Sequence, residues 1–290
     1  MNDDTIQKLE ETAARVKKFR PGHPALQILS GRAPTFASAL DQRFSFTVYT
    51  PSSHDFHGPE LPLVVAVHGT ARKAGELIDW MASFAEEHRC VVLAPLFPCG
   101  IIDFADVHNY KEILYRSIRF DHILLSMVDQ AAYIWRIRTD KFFMHGFSGG
   151  GQFCHRFFYL HPHRLLGLSI GAPGRITVPN TQHAWPLGVS NIQEVFEMDY
   201  GPDFRQMSEV PVHFVVGEKD TSTKMIESKN EFEEGSTRLE RIQILRDSWT
   251  RIGVRSTLSI VPGVKHEGKK CLPAVLSFLA PLLDAVERAA

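Results

Sequence analysis

The chain has 290 residues, 44% of them hydrophobic, with 33 acidic and 32 basic side chains and a formal net charge of -1. That length suits one large α/β domain or two small ones, and so even a charge leaves no electrostatic footprint for nucleic acid or an anionic membrane. No run of about 18 uninterrupted apolar residues occurs, so no transmembrane helix is expected.

The first residues, Met1 to Glu11, carry acids where a secretion signal carries bases, and they lack its apolar stretch. A cytoplasmic location is therefore expected. Ile6, Leu9, Ala13 and Val16 fall on one helical face, which Asp4 and Gln7 would start as a capping box. Arg20-Pro-Gly-His-Pro24 breaks that pattern, and Ala25 to Ser30 reads as a short strand. Arg43 to Thr50 alternates apolar and polar residues, as a half-buried antiparallel strand does. Leu63 to Val67 is an unbroken apolar run, the mark of a central parallel strand, and His68-Gly69-Thr70-Ala71 follows it.

A helix over about Ala74 to His88 precedes a buried strand, Cys90 to Ala94, and a loop from Pro95 to Val107. The next helix, about Asp121 to Arg136, leads to the strand Phe142 to Met144, and Gln152 to Leu160 reads as helix again. Strands follow at Leu165–Gly171, Pro211–Val216 and Ser256–Val261. Ile242, Leu245, Trp249 and Ile252 mark a helix between the last two, and Pro273 opens a closing helix. The segment from Gly174 to Val210 has little periodicity, and a stretch that long is expected to be a lid or cap insertion. Alternating strands and helices argue for a mostly parallel sheet with helices on both faces, in one domain. Cys90, Cys99, Cys154 and Cys271 form no CxxC pair, so reduced, mostly buried thiols are expected and neither metal nor redox chemistry is.

Three residue types of complementary chemistry lie just past strand ends. Ser148 sits in Gly146-Phe-Ser-Gly-Gly150 between a strand and a helix, Asp220 follows the strand at 211–216, and His266 follows the strand at 256–261. A serine hydroxyl becomes a nucleophile when a neutral imidazole takes its proton, and a carboxylate orients that imidazole. Glu218 is the rival for the acid; Asp220 is preferred because a few loop residues are needed to bend back to the histidine. Acyl transfer also needs N–H donors at the developing oxyanion. Gly149 supplies one, and Thr70, with Ala71 as the alternative, supplies the other. His68 is read as holding that loop, and Arg72 and Lys73 either meet an anionic substrate group or are solvated. Phe147, Phe97, Trp185 and Phe196 are the candidate pocket residues.

Val48-Tyr-Thr-Pro51, Pro62 to Thr70, Gly146 to Gly150 and Val261-Pro-Gly-Val-Lys-His-Glu267 resemble the α/β-hydrolase superfamily. Within it they are most similar to carboxylesterases related to polyhydroxybutyrate depolymerases and feruloyl esterases. The resemblance implies an α/β-hydrolase fold with about eight strands, Ser148 as nucleophile, Asp220 as acid, His266 as base, and no metal or organic cofactor. It implies a small-molecule ester as substrate. A peptidase, amidase or thioesterase on the same residues, and a ligand-binding receptor of this fold without turnover, are the alternatives.

Overall fold

The unbroken apolar run Leu63–Val67 sits at the middle of the molecule because both of its faces are covered. The computed structural model describes residues 3–20, 22–223 and 235–288. Its strands are β1 (Gly31–Arg32), β2 (Phe36–Ala37), β3 (Ser45–Thr50), β4 (Leu63–Val67), β5 (Val91–Leu96), β6 (Leu114–Tyr115) and β7 (Ile118–Arg119). Then follow β8 (Phe142–Phe147), β9 (Leu165–Gly171), β10 (Val212–Gly217) and β11 (Ser256–Val261). The main sheet runs β1-β3-β5-β4-β8-β9-β10-β11, with β2 pairing on β3. From β5 to β11 every neighbour is parallel, and β3 joins antiparallel at one side.

The helices are α1 (Asp3–Val16), α2 (Pro24–Leu29), α3 (Ala74–Glu87), α4 (Phe120–Ile134), α5 (Gly149–Leu160), α6 (Ile192–Phe196), α7 (Phe204–Glu209), α8 (Arg238–Arg251) and α9 (Gly268–Arg288). Side chains alternate across a strand, and β4 divides accordingly. Leu63, Val65 and Val67 pack with residues of α4, α5 and α8, whereas Val64 and Ala66 pack with residues of α3 and α9. Such a strand has no solvent face, which is why its sequence shows no alternation. Among the described residues no helix is long and apolar enough to cross a membrane.

Several elements depart from expectation for identifiable reasons. Ala25–Ser30 is mostly helix, not strand: Pro24 stands at its first turn and His23 Nδ1 accepts the Ala25 N–H at 3.1 Å. Asp4 does not cap α1, because it lies inside the first turn and its carboxylate takes Lys8 Nζ at 2.6 Å. Pro273 does not open the closing helix, which begins at Gly268 and carries Pro273 and Pro281 within it. In β3, Phe46, Thr47, Val48 and Thr50 are all buried, more than the half-burial that its alternation predicts. Cys90, Cys154 and Cys271 are buried free thiols, and Cys99 is an exposed one.

One buried ion pair ties α4 to the end of α5. Asp121 accepts Arg119 Nη2 at 2.6 Å and His161 Nε2 at 2.8 Å, with its own side chain fully buried. Burial alone would raise its pKa, but the hydrogen bonds from His161 and Arg119 hold the carboxyl well below the usual carboxylate range. Because the folded pKa lies below the unfolded one, its stabilisation is complete above about pH 4 and fades as pH falls towards the folded value. Asp121→Asn should therefore lower the urea-unfolding free energy by about 3–5 kcal/mol at pH 7. The gap between wild type and variant should narrow in titrations below about pH 4; an unchanged gap there would contradict the assignment.

Candidate active site

The chain turns sharply at Ser148, between the end of β8 and the start of α5. Ser148 holds φ 58° and ψ -114°, a conformation that L-residues adopt only under constraint. Its N–H donates to Gly171 O at 2.8 Å, and its carbonyl accepts the Gln152 N–H at 3.0 Å. Two glycines permit the turn by close approach. A Cβ on Gly146 would overlap the Gly150 carbonyl, and one on Gly150 would overlap the Val67 carbonyl in β4.

β10 and β11 deliver the partners. His266 Nε2 stands 2.9 Å from Ser148 Oγ, and its Nδ1 stands 2.6 Å from Asp220 Oδ2. The carboxylate can only accept, so Nδ1 carries the proton and Nε2 is left to accept the serine hydroxyl. Asp220 is buried, and its other oxygen takes Arg238 Nη1 at 3.3 Å. Glu218 is placed elsewhere: it accepts the Gly263 N–H at 2.7 Å and ties the exit of β10 to the turn after β11.

The loop after β4 faces the same serine. A Cβ on Gly149 would lie 3.1 Å from Thr70 N, so the Thr70 and Gly149 N–H groups are near neighbours. Among the described residues neither N–H has a hydrogen-bond acceptor in the protein. His68 is buried and holds the loop as the sequence suggests: its Nδ1 donates to Gly69 O at 2.8 Å and its Nε2 accepts the Phe97 N–H at 3.0 Å. Burial pushes its pKa down to about 4, which keeps the ring neutral. Arg72 is neither solvated nor aimed at a ligand. Its guanidinium donates to the carbonyls of Phe97, Thr70 and Val107 and to Asn109 Oδ1. Lys73 lines the cavity rim and pairs with Glu76 at 2.7 Å.

No protein-family model matches the sequence, and no curated protein does. Solved structures do. A poly(3-hydroxybutyrate) depolymerase from Bordetella parapertussis aligns with a TM-score of 0.67 at 21% identity, over 81% of this chain and 83% of that one. Poly(aspartic acid) hydrolase-1 from Sphingomonas sp. KT-1 aligns at 0.66 and 20% identity, over 81% and 92%. A ferulic acid esterase aligns at 0.57 and 14% identity, over 83% and 92%. This is the α/β-hydrolase fold.

On that fold a cavity of about 610 Å³ opens beside Ser148. Its apolar wall comes from Val67, Leu77, Trp80, Phe147 and Leu272, and its polar wall includes His108, Lys111, Arg175, Arg238 and Gln152. Of the residues expected to form the pocket, only Phe147 does, with its ring 5.0 Å from that of His266. Phe97 is buried behind the His68 loop among Phe44, Tyr110, Phe120 and Phe153. Trp185 packs edge-on against Phe196 and donates its indole N–H to Glu112 O, and Arg119 covers Phe196. They serve packing because the segment 174–210 touches the cavity only through Gly174 and Arg175.

Trp80 and Lys111 also line the cavity, and the sequence near them gives no sign of it. Trp80 lies on a helix and Lys111 in a turn of the α/β-hydrolase scaffold, Asn109–Glu112, with no local pattern that separates them from packing or surface residues. Lys111 is only 3% exposed. Burial, then the charges of Arg72, Arg156 and Arg175, push its pKa down to about 8.

Gly150→Ala tests the close approach of α5 to β4. The added methyl meets the backbone oxygens of Val67 and His68, which cannot rotate away. The expected cost is at least about 1–3 kcal/mol, read as a thermal midpoint lower by several degrees. A midpoint within one degree or so of wild type would show that the helix yields freely.

Proposed function

We propose that this chain is a serine hydrolase that cleaves carboxylic esters through an acyl-enzyme on Ser148. The observation that carries the proposal is His266, which reaches Ser148 Oγ at 2.9 Å with one nitrogen and Asp220 at 2.6 Å with the other. That arrangement activates an otherwise weak nucleophile. The names of the similar structures, a depolymerase of a polyester and a ferulic acid esterase, point the same way.

As Ser148 Oγ attacks the ester carbonyl, its proton passes to His266 Nε2. Asp220 holds the Nδ1–H and stabilises the imidazolium so formed. The carbonyl oxygen takes up negative charge beside the Gly149 and Thr70 N–H groups, which have no competing acceptor among the described residues. Collapse breaks the bond to the leaving alcohol, which receives the His266 proton. A water molecule then attacks the acyl-serine carbonyl, gives its proton to His266, and the acid departs as Ser148 recovers its hydrogen. Arg238 is an addition to this scheme: its Nη1 donates to the second oxygen of Asp220 at 3.3 Å and so helps to hold that carboxylate in place.

A panel of p-nitrophenyl esters of rising chain length, beside thioester and peptide substrates, identifies the bond cleaved. Ser148→Ala should lower kcat/KM for the preferred substrate by at least about 10⁴-fold. A fluorophosphonate probe should modify Ser148 alone; turnover that survives the substitution, or label on another residue, refutes the assignment. A folded protein that binds ester without product would mark a receptor.

The acid is tested separately. Asp220→Asn should cost about 10⁴-fold in kcat, whereas Glu218→Ala should stay within a few-fold of wild type, since Glu218 only braces a turn. The reverse order of effects would exchange their roles.

A further inference from the structure

The cavity beside Ser148 is lined by four cationic side chains, Lys73, Lys111, Arg175 and Arg238, and among the described residues by no aspartate or glutamate. Three of the four already face a carboxylate: Lys73 has Glu76 at 2.7 Å, Arg175 has Glu112 at 3.8 Å, and Arg238 has Asp220 at 3.3 Å. Lys111 is the exception. Its Nζ donates to His108 Nδ1 at 2.8 Å, and among the described residues it has no carboxylate partner. An ammonium has three N–H bonds, so two are left for a ligand.

This lysine is held in place by its backbone. Arg156 Nη1 donates to the Lys111 carbonyl at 2.8 Å. On one side Tyr110 Oη donates to His68 O at 2.8 Å, and on the other Trp185 Nε1 donates to Glu112 O at 3.0 Å. Burying an ammonium without a counter-charge is unfavourable, and at a cavity wall a bound anion relieves it. The site is also close to the chemistry. A Cβ on Gly149 would lie 2.9 Å from Lys111 Cε, and Gly149 is the residue whose N–H faces the scissile carbonyl oxygen in the mechanism above. Even with its pKa pushed down to about 8, the amine is mostly protonated at neutral pH.

We propose that the cavity selects esters that carry a carboxylate near the scissile bond, and that Lys111 is the residue that binds this carboxylate. The selection presupposes the Ser148 hydrolase chemistry proposed above. The carboxylate belongs to either the acid or the alcohol half of the ester, and two substrate pairs separate these sources. Mono-p-nitrophenyl adipate against p-nitrophenyl hexanoate compares charge on the acid side at equal chain length. Acetoxybenzoate against phenyl acetate compares it on the alcohol side.

In wild type at least one anionic ester should exceed its neutral counterpart in kcat/KM by about tenfold or more, as expected for a charged hydrogen bond. Lys111→Met should reduce that ratio to within about twofold, and Lys111→Arg should retain part of it. No preference in wild type overturns the proposal without recourse to any variant. Equal losses on anionic and neutral esters in Lys111→Met overturn it too, because the charge then serves the oxyanion and not the substrate carboxylate. Should Ser148-dependent turnover be absent altogether, the hydrolase assignment falls, and calorimetry with adipate decides the anion site by itself. Binding that weakens about tenfold or more in Lys111→Met supports the site; no binding to wild type overturns it.

Discussion

The close approach of helix α5 to the sheet is the constraint on which the rest depends. Ser148 occupies a backbone conformation that costs about 1–3 kcal/mol for a residue with a side chain. The turn survives because Gly146 and Gly150 let the helix meet β4 and β8 at backbone contact, and because Gly171 and Gln152 bond both peptide groups of the serine. A larger residue at either glycine would move the first turn of α5 away from the Thr70 loop. The hydroxyl position, the Gly149 N–H and its distance from Thr70 are thus consequences of one packing contact.

Around that contact the protein places a small buried polar network, whose members hold backbone groups of the loop after β4. His68 bridges Gly69 O and the Phe97 N–H, Tyr110 bonds His68 O, and Arg72 gathers three carbonyls and Asn109. Buried groups of this kind are tolerated only when satisfied. Here they fix a loop that has no regular secondary structure of its own. Arg156, buried and bonded to Thr177 and to the Lys111 carbonyl, extends the same support to the turn that carries Lys111.

The electrostatic character of the site follows from which charges that network consumes. Arg72 is committed to the scaffold, and Arg238 to Asp220. Among the described residues the Lys111 ammonium is committed only to a histidine. Against it stands an apolar wall supplied by α3, α9 and Phe147. A cavity with one polar, positively charged side and one apolar side orients a ligand that has both characters.

Local pattern made much of this legible. An unbroken apolar run marked β4, the spacing of strands and helices marked the layered sheet, and Ser148, Asp220 and His266 stood just past strand ends, where a parallel sheet gathers its reactive groups. These features depend on residues near one another in the chain. What the sequence could not disclose depends on distant partners. Arg72 bonds residues 25, 35 and 37 positions away, so nothing beside it in the chain reveals its role. Phe97, Trp185 and Phe196 had the composition of pocket residues, and only the packing of their segments turned them inward against other aromatics. No residue pattern near Lys111 in the chain sets it apart, and only the fold buries it against the cavity wall. The sequence by itself determined which residue types are available; the tertiary structure decided which charges face the cavity, because burial and pairing are properties of the fold.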